Sequence, residues 1–206
     1  IIFGRRLIHR AQDKHLISPL QWGSRPNRSS QDAILMKHIT CNCIRICKKI
    51  RIIFNNDGKA AFDRMVPSVG GIALRRPGAS KNSVQTLLLT LEKMSYLIRT
   101  TMGISEKSYS NLHNWVLGTL QGSGASPALW LAITCILLGA ISEESRGINQ
   151  RNSLIITRTA ETYVDDTELM LVVDHGDIHA LAEEMQHIAQ YWEQLLYTTG
   201  GALALE

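Results

Sequence analysis

The chain has 206 residues, of which 45% are hydrophobic, and a formal net charge of +4. This is the composition of an ordinary globular protein with one or two domains, and its four cysteines do not suggest the disulfide framework of a secreted protein. Residues 1–56 carry eleven Lys and Arg against two Asp, whereas residues 161–206 carry ten acids and no Lys or Arg. The basic front half suggests a polyanionic partner, most commonly nucleic acid; a basic surface without a partner is the alternative.

The first predicted helix follows a loop. Residues 1–20 mix basic and apolar residues without a clear period, and glycine and proline interrupt the loop from Gln21 to Arg28. Ser29, with Asp32 three residues later, predicts a helix start. The helix carries a partial apolar stripe at helical spacing: Ile34, Leu35, Ile39, Cys43, Ile46 and Cys47. Since the distant second pair of a zinc knuckle is absent, three cysteines are interpreted as structural thiols: Cys41, Cys43 and Cys47.

The next predicted elements are a strand, a helical turn and a long helix. Ile50 to Phe54 is a short strand, so Asp57 lies close to its carboxyl end, a common place for a ligand-binding acid. Lys59 to Met65 is predicted as a helical turn. Ser80 to Arg99 is the clearest amphipathic helix, with its core stripe at Val84, Leu87, Leu88, Leu91, Met94 and Ile98. Two further strands are predicted around a polar loop: Thr100 to Ile104 and Leu112 to Leu117.

A polar, glycine-rich loop from Gly118 to Pro127 precedes the most apolar segment of the chain. Glycine lets backbone approach a phosphate or a base closely, but no Gly-Lys-Ser/Thr follows, so a P-loop is excluded. Ala128 to Ile141 is fourteen residues without a charge, short of the roughly 20 that span a bilayer, so a buried core helix is predicted. A polar link, 142–153, and a strand, 154–156, follow.

Asp165 and Asp166 stand between two β-prone runs, residues 162–164 and 169–173, which predicts a hairpin with the acid pair at its tip. Two carboxylates so close repel each other, and a hard divalent cation would relieve this; a solvated acidic turn is the plainer alternative. The last predicted helix runs from Asp177 to Tyr197, with an inward stripe at Ile178, Leu181, Met185, Ile188, Trp192 and Leu195. Gly200-Gly201 predicts a turn into a final strand.

Three short motifs occur in a set order: Asp57-Gly58-Lys59-Ala60-Ala61-Phe62-Asp63, then Gln121-Gly122-Ser123-Gly124-Ala125-Ser126-Pro127, then Tyr163-Val164-Asp165-Asp166. The set resembles the palm of a reverse transcriptase, most closely that of non-LTR (LINE-like) retrotransposons, over about residues 17–206. Residues 21–33 are similar to the Gln-x-Gly-Phe-Arg-x-x-Arg-Ser-Thr block of these enzymes, with Ser24 where Phe is usual. Residues 199–203 resemble the start of the fourth palm motif, whose lysine would lie beyond Glu206.

The resemblance implies a role for each matching position. The catalytic acids would be Asp57, Asp165 and Asp166, which together with the carbonyl of Gly58 would hold two Mg²⁺ ions, with Mn²⁺ as the alternative ion. Four further residues would contact substrate: Phe62 as a steric gate against a 2′-hydroxyl, Gln121 and Gly122 beside the incoming nucleotide, and Tyr163 near the primer end. An ordinary core phenylalanine is the alternative for Phe62. Asp63 suits support of the helical turn, and Arg25 and Arg28 are candidates to face template or triphosphate.

The implied fold is α+β, a polymerase palm with an antiparallel sheet backed by helices, plus partial fingers. Residues 1–56 would be the basic partial fingers and residues 57–206 the palm, truncated before the thumb. The implied partners are an RNA template, a DNA primer and dNTPs, with no membrane, inside a longer retroelement polyprotein in the cytoplasm or nucleus rather than secreted. One alternative is a catalytically dead remnant that at most binds nucleic acid. Another, an RNA-directed RNA polymerase, is disfavoured because such enzymes usually carry Gly-Asp-Asp and Phe62 would exclude ribonucleotides.

Overall fold

The computed structural model describes residues 2–59, 61–110, 118–119, 124–151, 157–174 and 176–203. Seven helices and seven strands occur within these ranges. The helices are α1 (Ile2–Asp13), α2 (Ser30–Ile46), α3 (Ala61–Arg64), α4 (Pro67–Arg75), α5 (Lys81–Lys93), α6 (Ser126–Arg151) and α7 (Ile178–Thr198). The strands are β1 (Ile50–Asp57), β2 (Ser95–Tyr96), β3 (Arg99–Thr100), β4 (Gly103–Ile104), β5 (Tyr109–Ser110), β6 (Thr157–Tyr163) and β7 (Asp166–Val173). This mixture of helices and antiparallel sheets confirms the predicted α+β class.

The central sheet has three antiparallel strands in the order β1-β7-β6. Its register pairs Ile50 with Val173 at one end and Asp57 with Asp166 at the other. Residues 20–22 extend the sheet beyond β6, because Trp22 N–H donates to the carbonyl of Thr162 at 2.8 Å and Thr162 N–H donates to that of Leu20 at 3.0 Å. The segment before α2 therefore forms an edge of the sheet next to the hairpin.

The hydrophobic core lies between one face of this sheet and the helices α4 to α7. β7 supplies Leu169 and Leu171, each only 1% exposed, and α6 supplies Leu129 and Ile133. Alternate residues of a strand point to the same face, so the acids at positions 166 and 168 face away from this core. Each buried aliphatic side chain contributes about 1.5–3 kcal/mol. The core thus fixes which face of the hairpin carries the acids.

α6 is the central core helix and confirms the predicted buried helix, with Pro127 in its first turn. The predicted polar link over residues 142–153 is wrong, because the helix continues to Arg151. No proline interrupts this part of the sequence, so its polar residues continue the helix instead of ending it. Ser126–Glu143 is long and apolar enough to cross a membrane by length and composition, and 61% of it is buried inside the protein.

Other helix boundaries differ from the prediction. α1 and α4 were not predicted. α5 begins after its N-cap Ser80 as expected but ends at Lys93, and the chain leaves the helix at Met94, so Ile98 is 49% exposed instead of inward. Ile178 is 59% exposed, contrary to the predicted inward stripe; it is the first residue of α7, where the neighbouring residues are exposed as well.

α2 has the predicted start but a different environment. The Ser29 side chain accepts from Asp32 N–H and the Asp32 carboxylate accepts from Ser29 N–H, which is a complete capping box. The apolar stripe stays largely uncovered: Ile34, Leu35, Ile39 and Ile46 are 46–75% exposed, and Ile44 is the buried residue. Cys41, Cys43 and Cys47 are free thiols, of which Cys41 is partly buried and the other two are exposed.

The predicted strand over residues 100–104 is a small hairpin, β3 paired with β4, and a second two-stranded ribbon pairs β2 with β5. Two other predicted strands, 112–117 and 154–156, lie outside the described residues, as does the end of the strand predicted after Gly201. Leu203 forms an isolated antiparallel bridge with Gly58, which brings the last described residues beside the end of β1.

Candidate active site

Asp165 lies in the two-residue turn between β6 and β7, and Asp166 is the first residue of β7, paired with Tyr163. The predicted hairpin with the acid pair at its tip is therefore confirmed. The turn residue Val164 has a φ of +60°. A β-branched residue rarely adopts this conformation, which costs about 1–3 kcal/mol and persists only where the surrounding structure enforces it.

Two groups distant in sequence enforce that turn. Trp130 of α6 donates its indole N–H to the carbonyl of Val164 at 2.5 Å. Gly23 lies against the other side, where a Cβ would stand 2.3 Å from the nitrogen of Val164. The buried side chains of Gln21 and Thr162 are hydrogen-bonded to each other. The acid turn is thus held between α6 and residues 20–23, a support that the sequence reasoning missed because none of these residues adjoins the acids.

β1 brings the third acid to the same place. Asp57 is the register partner of Asp166, so both side chains lie on one face of the sheet at its end. Gly58 lies beside the turn, where a Cβ would stand 3.5 Å from the carbonyl oxygen of Asp165. Burial raises the pKa of Asp166, and the neighbouring charges of Asp165 and Asp57 raise it further. The three acids predicted as catalytic therefore interact electrostatically.

The donor set is that of a hard divalent cation, since carboxylate oxygens are what Mg²⁺ prefers. Neither salt bridge found among the described residues involves Asp57, Asp165 or Asp166. Burial is the main cause of the raised pKa of Asp166, and the charges of Asp165 and Asp57 add a repulsion that a cation would relieve. Within the described ranges, however, no three His, Cys, Asp or Glu are arranged as a ready-made metal site. The chemistry fits a metal, and the ligand set predicted for it, including the carbonyl of Gly58, stays a prediction.

Phe62 belongs to α3, which follows β1 directly. Its ring packs against Trp130, with centroids 6.2 Å apart and planes tilted by 58°. Its carbonyl accepts from Thr119 N–H at 2.8 Å, and Gly118, with a φ of +84°, contacts the backbone of Phe62 and Asp63 so closely that a Cβ would stand 2.3 Å from the Phe62 carbonyl oxygen. The start of the glycine-rich loop is thereby docked against α3. Gln121 and Gly122 lie outside the described residues.

The two arginines of the upstream block have internal partners. The guanidinium of Arg25 donates to the side chain of Gln12 and to the carbonyls of Ser18 and Gln21, each at 3.0 Å. Burial lowers the pKa of Arg25. Through these bonds Arg25 holds the loop in place, so its guanidinium is not free to bind a phosphate. Arg28 stacks over the ring of Trp22, 4.5 Å from its centroid.

A cleft of about 830 Å³ lies between α2 and the acid-bearing face of the sheet. Asp57, Asp166 and Tyr163 line one end of it, and Tyr163 is 37% exposed. Across the cleft, Lys37 of α2 forms a salt bridge with Glu168 of β7. Burial, then the charge of the neighbouring Glu168, raises the pKa of Glu161, while Lys37 partly opposes this effect. The cleft is large enough for a small-molecule or nucleotide ligand.

Comparison with known proteins gives matches in structure alone. No protein-family model and no curated protein matches the sequence. Telomerase from Candida albicans, solved in complex with a TWJ fragment of telomeric RNA, superposes on 97% of this chain with a TM-score of 0.62 and 12% sequence identity. Apo telomerase from Candida tropicalis, truncated from its C-terminal domain, superposes on 98% with a TM-score of 0.59 and 10% identity. The chain spans 33% and 38% of those proteins' lengths. Its fold is therefore polymerase-like, similar to that of telomerase.

Proposed function

We propose that this chain is the polymerase region of a reverse transcriptase, which adds deoxynucleotides to a DNA primer on an RNA template. The observation that carries the proposal is the placement of three acids at one sheet end: Asp57 opposite Asp166 in register, with Asp165 in the adjoining turn. The similarity of the fold to telomerase supports it. The order of the three motifs further supports a non-LTR retrotransposon origin, inside a longer polyprotein.

Asp57, Asp165 and Asp166, with the carbonyl of Gly58, would hold two Mg²⁺ ions. When bound, these ions would activate the primer hydroxyl and offset the charge of the triphosphate and the leaving pyrophosphate. The work of the protein is positioning. Trp130 and Gly23 hold the turn that carries Asp165, and the β1–β7 ladder fixes Asp57 relative to Asp166. A site fixed in advance requires little reorganisation during the reaction.

Phe62, Tyr163, Gln121 and Gly122 are proposed to contact the substrates. Trp130 restricts the ring of Phe62, so the ring can serve as a rigid wall under a deoxyribose. Tyr163 pairs with Asp166 and lines the same cleft, which suits a role beside the primer end. We further propose that residues 1–56 are part of the fingers, that residues 57–206 are the palm, and that the protein acts in the cytoplasm or nucleus.

The test is primer extension on an RNA template with dNTPs and Mg²⁺. Asp165→Asn should lower incorporation on the order of 10²–10³-fold, as expected when one electrostatic catalytic group is removed. Asp174→Asn is the matched control, because it neutralises another acid near the same strand, outside the cleft lining. Equal loss in both variants would contradict the assignment of Asp165.

A binding-only remnant is the second candidate, favoured by one observation: in the described part of the chain the acids do not converge into a ready-made metal site. A folded wild-type chain that binds RNA–DNA hybrid but incorporates no nucleotide, with binding unchanged by Asp165→Asn, would establish this reading instead.

A further inference from the structure

Helix α2 presents an apolar stripe on the side that is turned away from the sheet. Its sheet-facing side contains the buried Ile44 and also Lys37, which forms the salt bridge to Glu168 of β7. On the opposite side, four residues recur at intervals of four, three and four positions: Leu35, Ile39, Asn42 and Ile46. Residues at this spacing share one face of an α-helix. These four residues are the outer stripe of α2.

The outer stripe is open to solvent. The exposed fraction is 58% for Leu35, 46% for Ile39 and 75% for Ile46, and Asn42 is exposed as well. In α7 of the same protein, by contrast, five residues of the apolar stripe are buried. Single exposed aliphatic residues are common on protein surfaces, whereas a row of large ones on one helix face marks an interaction site.

The spacing of the outer stripe is that of a coiled-coil seam. Ile39 and Ile46 occupy a positions of a heptad, and Leu35 and Asn42 occupy d positions. Side chains at such positions insert between the side chains of a facing helix, and a polar residue in the seam can fix the register of the pair. A lipid surface would leave the amide of Asn42 unpaired in an apolar environment, which is unfavourable. The stripe therefore fits a second helix.

The charges beside the outer stripe define the flanks of that helix. His38 and Arg45 lie along one edge of the stripe, and Lys48 follows the end of α2; all three are exposed. Neither salt bridge found among the described residues involves Arg45 or Lys48. Asp32 is the single acid in the sequence of α2, and its carboxylate belongs to the capping box. A second copy of α2 would place like charges together, whereas a helix with acidic flanks would be complementary.

We infer that the outer stripe of α2 is a docking site for an amphipathic helix of a partner protein, with aliphatic residues on its seam and acidic residues beside them. The stripe is on the opposite side of α2 from the cleft that contains the proposed catalytic acids. The docking site therefore goes beyond the proposed function and does not depend on nucleotide addition.

The test is binding of two fluorescent helical peptides, each about four heptads long, to the 206-residue chain, measured by anisotropy at low salt. Both peptides have Ile at a and Leu at d, with Asn at one d position. One peptide has Glu at every e and g position, and the other has Lys there, so that like charges keep each peptide from pairing with itself. The Glu peptide should bind roughly fivefold or more tightly than the Lys peptide, and high salt should reduce this ratio.

Four variants locate the binding site. Leu35→Gln and Ile46→Gln each remove an aliphatic side chain from the outer stripe, so each should weaken binding of the Glu peptide roughly tenfold. Ile72→Gln is the matched control, because Ile72 is 72% exposed on α4, and it should leave the affinity unchanged. Arg45→Glu should weaken binding of the Glu peptide and strengthen binding of the Lys peptide. Because all four side chains are exposed, the variants should keep the Tm of the wild type.

The inference is wrong if the folded wild type binds neither peptide or binds both equally. It is also wrong if Leu35→Gln and Ile46→Gln bind the Glu peptide as tightly as Ile72→Gln does. A dimer of the wild type that Ile46→Gln abolishes in analytical ultracentrifugation would assign the stripe to a second copy instead. Sedimentation with phosphatidylserine vesicles that Ile46→Gln abolishes would assign it to a membrane. None of these assays contains nucleic acid or nucleotides, so their outcome is independent of primer extension.

Discussion

Gly23→Ala tests whether the acid turn is positioned from outside the hairpin. Gly23 is not among the residues with positive φ, so alanine can adopt its backbone conformation, and the effect of the substitution is steric. A Cβ there would stand 2.3 Å from Val164 N and 2.7 Å from Val164 Cγ2, whereas real Cβ contacts essentially never fall below 3.0 Å. The turn or the loop must therefore move by roughly 0.7 Å or more, and Asp165 is the next residue of the turn.

A displacement of about 1 Å at a catalytic group can cost on the order of 10²-fold in rate. We therefore expect Gly23→Ala to lower primer extension by ten- to a hundredfold. Overpacking should also lower the free energy of unfolding by about 1–3 kcal/mol, seen as a fall in Tm of roughly 2–10 °C. Gly139→Ala is the control, because a Cβ there would meet only the end of Arg76, at 3.9 Å. If Gly23→Ala changed neither the rate nor Tm, residues 20–23 would not hold the acid turn in position.

Three further predictions address other contacts of the site. Trp130→Phe leaves the carbonyl of Val164 without its indole donor, so we expect a loss of about 1–3 kcal/mol in chemical denaturation together with slower primer extension. Glu161 has a raised pKa, so its contribution to stability is full below the unfolded-state value of about 4.5 and is lost as pH rises through the folded value. Glu161→Gln should therefore raise Tm at pH 7 but not at pH 4; an equal rise at both pH values would show that burial and the charge of Glu168 do not raise the pKa of Glu161. Phe62→Ala should admit ribonucleotides, measured as the ratio of CTP to dCTP incorporation, and an unchanged ratio would make Phe62 an ordinary packing residue.

The parts of the site that could be predicted from sequence are local ones. The hairpin follows from two β-prone runs flanking Asp165-Asp166. The position of Asp57 follows from the β-prone run before it, although the strand ends at Asp57 itself and not at Phe54 as predicted. The α2 start follows from Ser29 and Asp32 alone, because a capping box involves only neighbouring backbone. Such features need no knowledge of the rest of the fold.

α4 was not predicted, because the glycines that its packing requires also weaken its helical sequence pattern. Its sequence contains Gly70 and Gly71, which weaken any helical pattern because glycine has a low helix propensity. In the structure a Cβ at position 70 would stand 2.9 Å from Leu129, and one at position 71 would stand 3.0 Å from Val84 and Leu88. The glycines allow α4 to approach both α6 and α5 closely. The residues that obscure the local signal are thus those that the tertiary contact requires.

The contacts that hold the acid turn in position could not be predicted, because they join distant parts of the chain. Gln21 and Thr162 are 141 positions apart, and Trp130 is 34 positions before Val164. The similarity of residues 21–33 to a sequence block of reverse transcriptases indicated that this segment is important. It did not show which residues the segment contacts. Only the register of the sheet edge shows that residues 20–23 position the turn.

The uneven distribution of charge along the chain is partly offset by salt bridges in the folded structure. Both salt bridges of the described residues join the basic front to the acidic end, Lys37 to Glu168 and Lys49 to Asp174. Part of the positive charge that suggested a polyanionic partner is therefore neutralised internally. The cleft is lined by four acids against Lys37, so its charge is negative and it repels a bare phosphate backbone; the acids are Asp57, Asp166, Glu161 and Glu168. Cations that offset this negative charge would let a nucleic acid approach the acid end of the cleft, which agrees with the proposed metal site.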